Sequence, residues 1–190
     1  MTTTDKRREI LHSALKLIAL NGFQGAPTAL IASRANVGAG TIYCYFESKD
    51  VLIQTLYEEL EIRMLAALTK GYPGTQPLRE RFIHVGKSFV RYCLAVPMDF
   101  RFLEQFHNSP HGAAYRRDRI LGGKDQDIIH ELFEKAQKEQ LIKDLPKMIL
   151  MNLFFGPLLC VVRDHVLGFA TLDEPTIDRT VDACWDAIRR

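Results

Sequence analysis

Apolar residues recur at helical spacing along almost the whole chain. Between Asp5 and Leu20 they fall at Ile10, Leu11, Ala14, Leu15, Leu17 and Ile18, while Arg7, Arg8, His12 and Lys16 occupy other positions. Spacings of three and four put the first set on one side of an α-helix. Asn21-Gly22 closes that helix, since both residues tolerate left-handed backbone. Pro27-Thr28 opens a short second helix over 29–35 with Thr28 as its N-cap. Asn36-Val37-Gly38 forms a tight turn before a third helix over 39–46. Ser48 caps a long fourth helix, 49–68, whose stripe is Val51, Leu52, Leu56, Leu60 and Met64. After the break at Gly71-Tyr72-Pro73-Gly74, further helices are predicted at about 77–95, 98–108, 115–139, 145–167 and 174–189. No period-two alternation bounded by hairpin turns occurs, so the prediction is an all-α fold of about nine helices.

Composition changes this picture little. With 190 residues, 47% hydrophobic and 25% charged, the chain suits a small domain joined to a medium one in a soluble globular protein. The longest apolar stretch, Met148 to Val162, contains Asn152, Gly156 and Pro157 and runs into Arg163-Asp164, which favours a buried helix over a membrane span. The N-terminus has no secretory pattern, and four scattered cysteines (Cys44, Cys93, Cys160, Cys184) show no metal-ligand spacing. A cytoplasmic protein with reduced thiols, no metal and no cofactor is expected. The net charge of +2 is unevenly placed: residues 1–49 carry +3 and the remainder −1. A run such as Lys6-Arg7-Arg8 is compatible with a nucleic-acid contact and equally with a solvated helix face.

The second and third helices, joined by a short turn, have the form of a helix-turn-helix, whose second helix enters the major groove. What makes the reading specific is the string from Thr28 to Leu52, with Ile31, Ala32, Ala35, Val37, Gly40, Thr41, Ile42, Tyr43, Tyr45, Phe46, Ser48, Lys49, Asp50 and Leu52. It resembles the DNA-binding signature of TetR-family transcriptional regulators over about residues 8–53. The resemblance implies an N-terminal helix-turn-helix domain at 1–50 and a ligand-sensing, dimerising helical bundle at 51–190.

It also implies roles for individual residues. Thr28, Tyr43 and Lys49 would anchor phosphates, and Ala39, Thr41 and Tyr45 would approach base edges of double-stranded operator DNA. Gly40 has no side chain where the helix start must approach a phosphate, and its N–H can donate there. Ile31, Ile42 and Phe46 should be core, packed against Leu15 and Ile18. For Tyr43, a half-buried ring with a wet hydroxyl is the alternative. Two positions depart from the family pattern: Asn36 stands where a turn glycine is usual, and Gly38 where a serine is usual. Residues 38–46 contain no Arg, Lys, Asn or Gln, the side chains that make bidentate base contacts. Specificity would then lean on Thr41, Tyr45, Arg34 and the Lys6-Arg7-Arg8 arm.

Residues 82–106 hold six aromatics: Phe82, Phe89, Tyr92, Phe100, Phe102 and Phe106. Such a stripe can be plain core. The resemblance favours instead a pocket for a small apolar or aromatic effector among Phe89, Tyr92, Phe102 and Phe106, with Arg91, His107, Asn108 and Asn152 as candidate polar groups. Control of operator affinity by that effector would make the protein a ligand-responsive repressor; a DNA-binding regulator without a ligand is the alternative. Glu9-x-x-His12 and Glu104-x-x-His107 match an element of di-iron bundles, but a site needs two further carboxylates facing one interior, so an enzyme is not expected. Gly38-x-Gly40 lacks both the third glycine and the preceding strand of a dinucleotide loop. Finally, Met148–Val166 is apolar on nearly every face, and Thr176–Ile188 carries Ile177, Val181, Trp185 and Ile188 in a stripe. A homodimer through Phe155, Leu159, Val162, Val181 and Trp185 is expected, with a buried central helix in a monomer as the alternative.

Overall fold

The computed structural model describes residues 3–121 and 128–190. Among them it contains ten helices: α1 Thr3–Asn21, α2 Thr28–Arg34, α3 Ala39–Tyr43, α4 Lys49–Thr69, α5 Leu78–Ala95, α6 Pro97–His107, α7 Pro110–Leu121, α8 Ile128–Lys138, α9 Lys147–Val166 and α10 Glu174–Ile188. The single helix expected over 115–139 is described as two, α7 and α8, and α7 starts early, with Pro110 in the first-turn position that tolerates proline. The chain divides into two compact units, Met1–Arg63 with Val96–Gly122, and Met64–Ala95 with Gly123–Arg190.

In the first unit, α1 buries Ile10, Leu11, Ala14, Leu15, Leu17 and Ile18, and leaves Arg8, His12, Lys16 and Leu20 outside. Gly22 ends it at φ +73, its N–H donating to the Ile18 carbonyl at 2.9 Å. Thr28 is not the cap of α2 but its first residue. Pro27, which has no N–H to satisfy, occupies the cap position with extended backbone and no side-chain bond. The other end of α2 is closed by Asn36 at φ 54, with Asn36 N–H on the Ser33 carbonyl (3.2 Å) and Val37 N–H on that of Ala32 (3.0 Å). This is a complete left-handed C-cap, made with asparagine in place of glycine.

Regular α3 stops at Tyr43, three residues short of expectation, although Phe46 N–H still reaches the Ile42 carbonyl at 2.9 Å. Ser48 caps α4 as expected, its Oγ accepting from Val51 N–H at 3.2 Å. Leu52, Leu56 and Leu60 of the α4 stripe are buried, whereas Val51 is exposed. Within this unit α6 packs on α1 and α7. Gln105 Nε2 donates to the Ala19 carbonyl (3.2 Å), and the buried Asp99 carboxylate meets Arg63 at 3.3 Å.

In the second unit α5 packs against α8, α9 and α10. Phe82 lies at the centre, its ring 4.9 Å from Phe133, 5.1 Å from Trp185 and 5.4 Å from Phe154. Gly86 lets α5 and α10 close in: a Cβ there would sit 2.7 Å from Val181 Cγ1. Three ion pairs, Arg79–Asp182, Lys87–Asp178 and Arg91–Glu174, run along the same two helices. On α9 only Leu150, Phe154, Leu158 and Val162 are buried. Met148, Ile149 and Leu153 are exposed large apolar side chains on other faces.

Candidate nucleic-acid interface

The helix-turn-helix presents a mostly uncharged surface. Ala39, Gly40, Cys44 and Arg34 are exposed, Thr28, Thr41 and Tyr45 are half-exposed, and Tyr43 is 57% exposed. Tyr43 is therefore a surface residue, which removes the half-buried alternative. Ile31, Ile42 and Phe46 are buried, as expected. At Gly40 a Cβ would meet nothing within 4 Å. Nothing inside the protein requires a glycine there, and glycine inside a helix is less favourable than alanine by about 1 kcal/mol.

Two cations make contacts within the protein. Lys49, taken from the sequence as a phosphate anchor, donates Nζ to the Phe23 carbonyl at 2.7 Å and is half-buried. An ammonium has three donors, so this bond leaves capacity for an anion. Arg7 turns inward, pairing with Glu59 at 2.8 Å and lying over the Phe46 ring with Cζ 5.6 Å from its centroid. Arg8, by contrast, is 76% exposed, with Asp5 at 3.8 Å. Two further features escaped the sequence reading. Cys44 puts a thiol on the exposed side of this segment, its Sγ 3.6 Å from the Gly40 carbonyl, and His111 of α7 lies 3.9 Å from Asp50 at the start of α4 and packs on the Phe23 ring.

The four residues expected around an effector are divided between the units. Phe102 and Phe106 are fully buried in the first, stacked on each other, with Phe106 on Tyr57 at 4.0 Å and Phe102 edge-on to Phe23. Phe89 and Tyr92 lie on α5 in the second, where Phe89 contacts the half-exposed Phe155 at 5.4 Å. Of the candidate polar groups, Arg91 is engaged by Glu174 through a two-point contact that holds the glutamate below its usual carboxylate range. His107 packs edge-on to Tyr57, Asn108 bonds the Glu104 carbonyl, and Asn152 is exposed on α9. Of the residues expected at a dimer interface, Val162 and Val181 are 0% exposed and Trp185 is buried. They form the core of the second unit, because they supply the inward stripe on which α9 and α10 pack. Phe155 and Leu159 remain half-exposed. Among the described residues no three His, Cys, Asp or Glu side chains gather as a metal site would require.

Comparison with known proteins gives this geometry its context. Residues 10–56 match the family model "Bacterial regulatory proteins, tetR family", and residues 77–189 match "Tetracyclin repressor-like, C-terminal domain". An uncharacterized HTH-type transcriptional regulator from Haemophilus influenzae is 24% identical over 188 residues, covering 98% of this chain and 97% of its own. Among solved structures, a TetR family transcription regulator from Marinobacter aquaeolei VT8 is similar with a TM-score of 0.84 at 22% identity, over 98% of this chain and 96% of that one. A putative TetR family regulator from Vibrio parahaemolyticus reaches 28% identity and a TM-score of 0.75, over 97% and 99% of the two chains. With family models together matching most of its length, the chain belongs to the TetR family of DNA-binding transcriptional regulators.

Proposed function

We propose that the protein is a cytoplasmic, homodimeric repressor whose affinity for operator DNA is set by a small apolar or aromatic molecule. The observation that carries the DNA contact is the exposed Gly40, where an added Cβ would meet nothing within 4 Å, on a helix that also presents Thr41 and Tyr43. Gly40, Thr41, Tyr45 and Ala39 would meet base edges and backbone, with Thr28, Tyr43, Lys49 and Arg34 on phosphates. Helix α9 supports the dimer. Apolar both on its buried face and at exposed Met148, Ile149 and Leu153, it needs a cover that a second copy supplies. A two-fold dimer would present two recognition helices ~34–36 Å apart, one turn of DNA. The effector is assigned to the aromatic cluster of the second unit at Phe89 and Tyr92, where Phe89 meets the half-exposed Phe155, while Phe102 and Phe106 act as core of the first unit. Such a molecule changes operator affinity only through unequal binding to two shapes of the dimer.

The test has two stages. Selection of duplexes from a random-sequence library by the full chain should yield a two-half-site sequence, and failure to enrich any sequence would refute the DNA reading. A screen of apolar and aromatic compounds against that duplex should then yield a saturable change in binding. If compounds bind the protein without altering operator affinity, the ligand-control reading falls and the DNA reading stands.

A further inference from the structure

We propose that Arg7 is a positioning residue of the DNA-binding unit and not a DNA contact: Glu59 holds its guanidinium over the Phe46 ring, and this clamp sets the recognition helix for docking. In sequence Arg7 is the middle of three consecutive cations, the kind of run that neutralises phosphates. In the fold the run divides. Arg8 stays 76% exposed, whereas Arg7 Nη1 meets Glu59 Oε1 at 2.8 Å and its Cζ lies 5.6 Å from the Phe46 centroid. A planar guanidinium makes both contacts at once, donating from its edge and stacking with its face. The clamp thereby joins three stretches distant in sequence: the first turns of α1, the segment after α3, and the middle of α4.

The reason this reaches DNA lies in α3 itself. The helix has five residues, of which Ile42 alone is buried. So short a helix has little hold of its own on the unit. Phe46, next along and 3% exposed, supplies the following anchor, with its N–H on the Ile42 carbonyl. Arg7 covers the Phe46 ring and is itself held by α4. Without the clamp, a larger share of molecules would carry α3 in orientations that do not fit the groove, and apparent affinity falls by the fraction that remains competent.

The experiment measures binding by the full-length protein to two probes, the duplex it selects from a random-sequence library and a scrambled duplex of equal length, over a range of salt. The decisive variant is Glu59→Gln, which keeps the shape of the side chain and removes a negative charge. Simple electrostatics demands tighter binding to a polyanion, and steeper salt dependence once Arg7 is released. The clamp demands the opposite for the selected duplex. Affinity should weaken roughly three- to tenfold, the scale of one partly exposed ion pair plus a cation–π contact, with the salt slope unchanged and the scrambled duplex little affected.

Arg7→Ala should give the same pattern, and the double variant should lose no more than either single one. Glu59→Gln binding as tightly as the parent or tighter, an Arg7→Ala slope reduced by about 0.9, or additive losses in the double variant would each overturn the proposal. Should Arg7→Ala fail to fold, Glu59→Gln decides alone. A fall in thermal stability without a fall in the selected-to-scrambled ratio also overturns it, because a merely structural pair would not change discrimination.

Discussion

Lys49 Nζ donates to the carbonyl oxygen of Phe23 at 2.7 Å, tying the first residue of α4 to the loop between α1 and α2. One side chain thus serves the fold, and its remaining donors are the ones the proposed phosphate contact would use. Lys49→Ala is expected to lower affinity for all DNA sequences about equally and to reduce the salt slope by about 0.9, with a small loss of thermal stability. If stability falls and the slope does not, the lysine is structural only.

Gly40→Ala separates folding from binding by sign. The helix gains up to about 1 kcal/mol of propensity because the added Cβ meets nothing within 4 Å, while the same methyl would crowd the proposed DNA contact. A raised unfolding midpoint with weakened DNA binding is expected. Unchanged binding would mean that no close contact forms there.

Tyr43→Phe removes one hydroxyl from a ring that is 57% exposed. The midpoint of thermal unfolding should not move, and operator affinity should drop by roughly two- to tenfold, the equivalent of ~0.5–1.5 kcal/mol for one hydrogen bond. Calorimetry alongside a binding titration checks both halves.

Thiol reactivity should divide the cysteines into pairs. Cys44 and Cys160 are exposed, while Cys93 and Cys184 are buried, and burial pushes the Cys184 thiol up to about 11. A raised pKa leaves little thiolate near neutral pH, and alkylation proceeds through the thiolate. At about pH 7.5 Cys44 should take up label quickly in the native protein, and Cys160, seven residues beyond Leu153 on the side of α9 proposed as the dimer seam, should do so once the dimer dissociates. Cys93 and Cys184 should follow only on unfolding. Peptide mapping of the labelled chain reads this directly.

Leu153→Glu places a charge on the exposed apolar side of α9, clear of the buried stripe Leu150, Phe154, Leu158 and Val162. Light scattering should show a folded species of 21.7 kDa in place of one twice that mass, and two-half-site DNA binding should be lost. A variant that keeps the parent's mass would place the dimer seam elsewhere.

What could be read from the sequence was mostly local. The inward stripe of α1, the left-handed Asn36 and the Ser48 cap depend on neighbours within four or five residues, and the structure has them as expected. Apart from one local case, the differences arise where a distant partner or a choice of face decides. Thr28 lost the cap position to its own neighbour Pro27, whose geometry serves without a side-chain bond. Arg7 owes its orientation to Glu59, 52 positions away. An apolar helix such as α9 carries no phase in its pattern, so the sequence could not say that Val162 faces inward while Leu153 faces out. Phe102 and Phe106 lie close in sequence to Phe89 and Tyr92, but the chain passes from the second unit to the first between Ala95 and Val96.

The exposed apolar side of α9 also has a consequence for dosage. If pairing through that side is needed before DNA is engaged, the amount of active repressor follows the square of chain concentration whenever monomers predominate. Halving the protein at cell division would then cut occupancy about fourfold at the dilute limit, so that Met148, Ile149 and Leu153, far along the chain from any residue assigned to DNA, would set how abruptly the controlled genes escape.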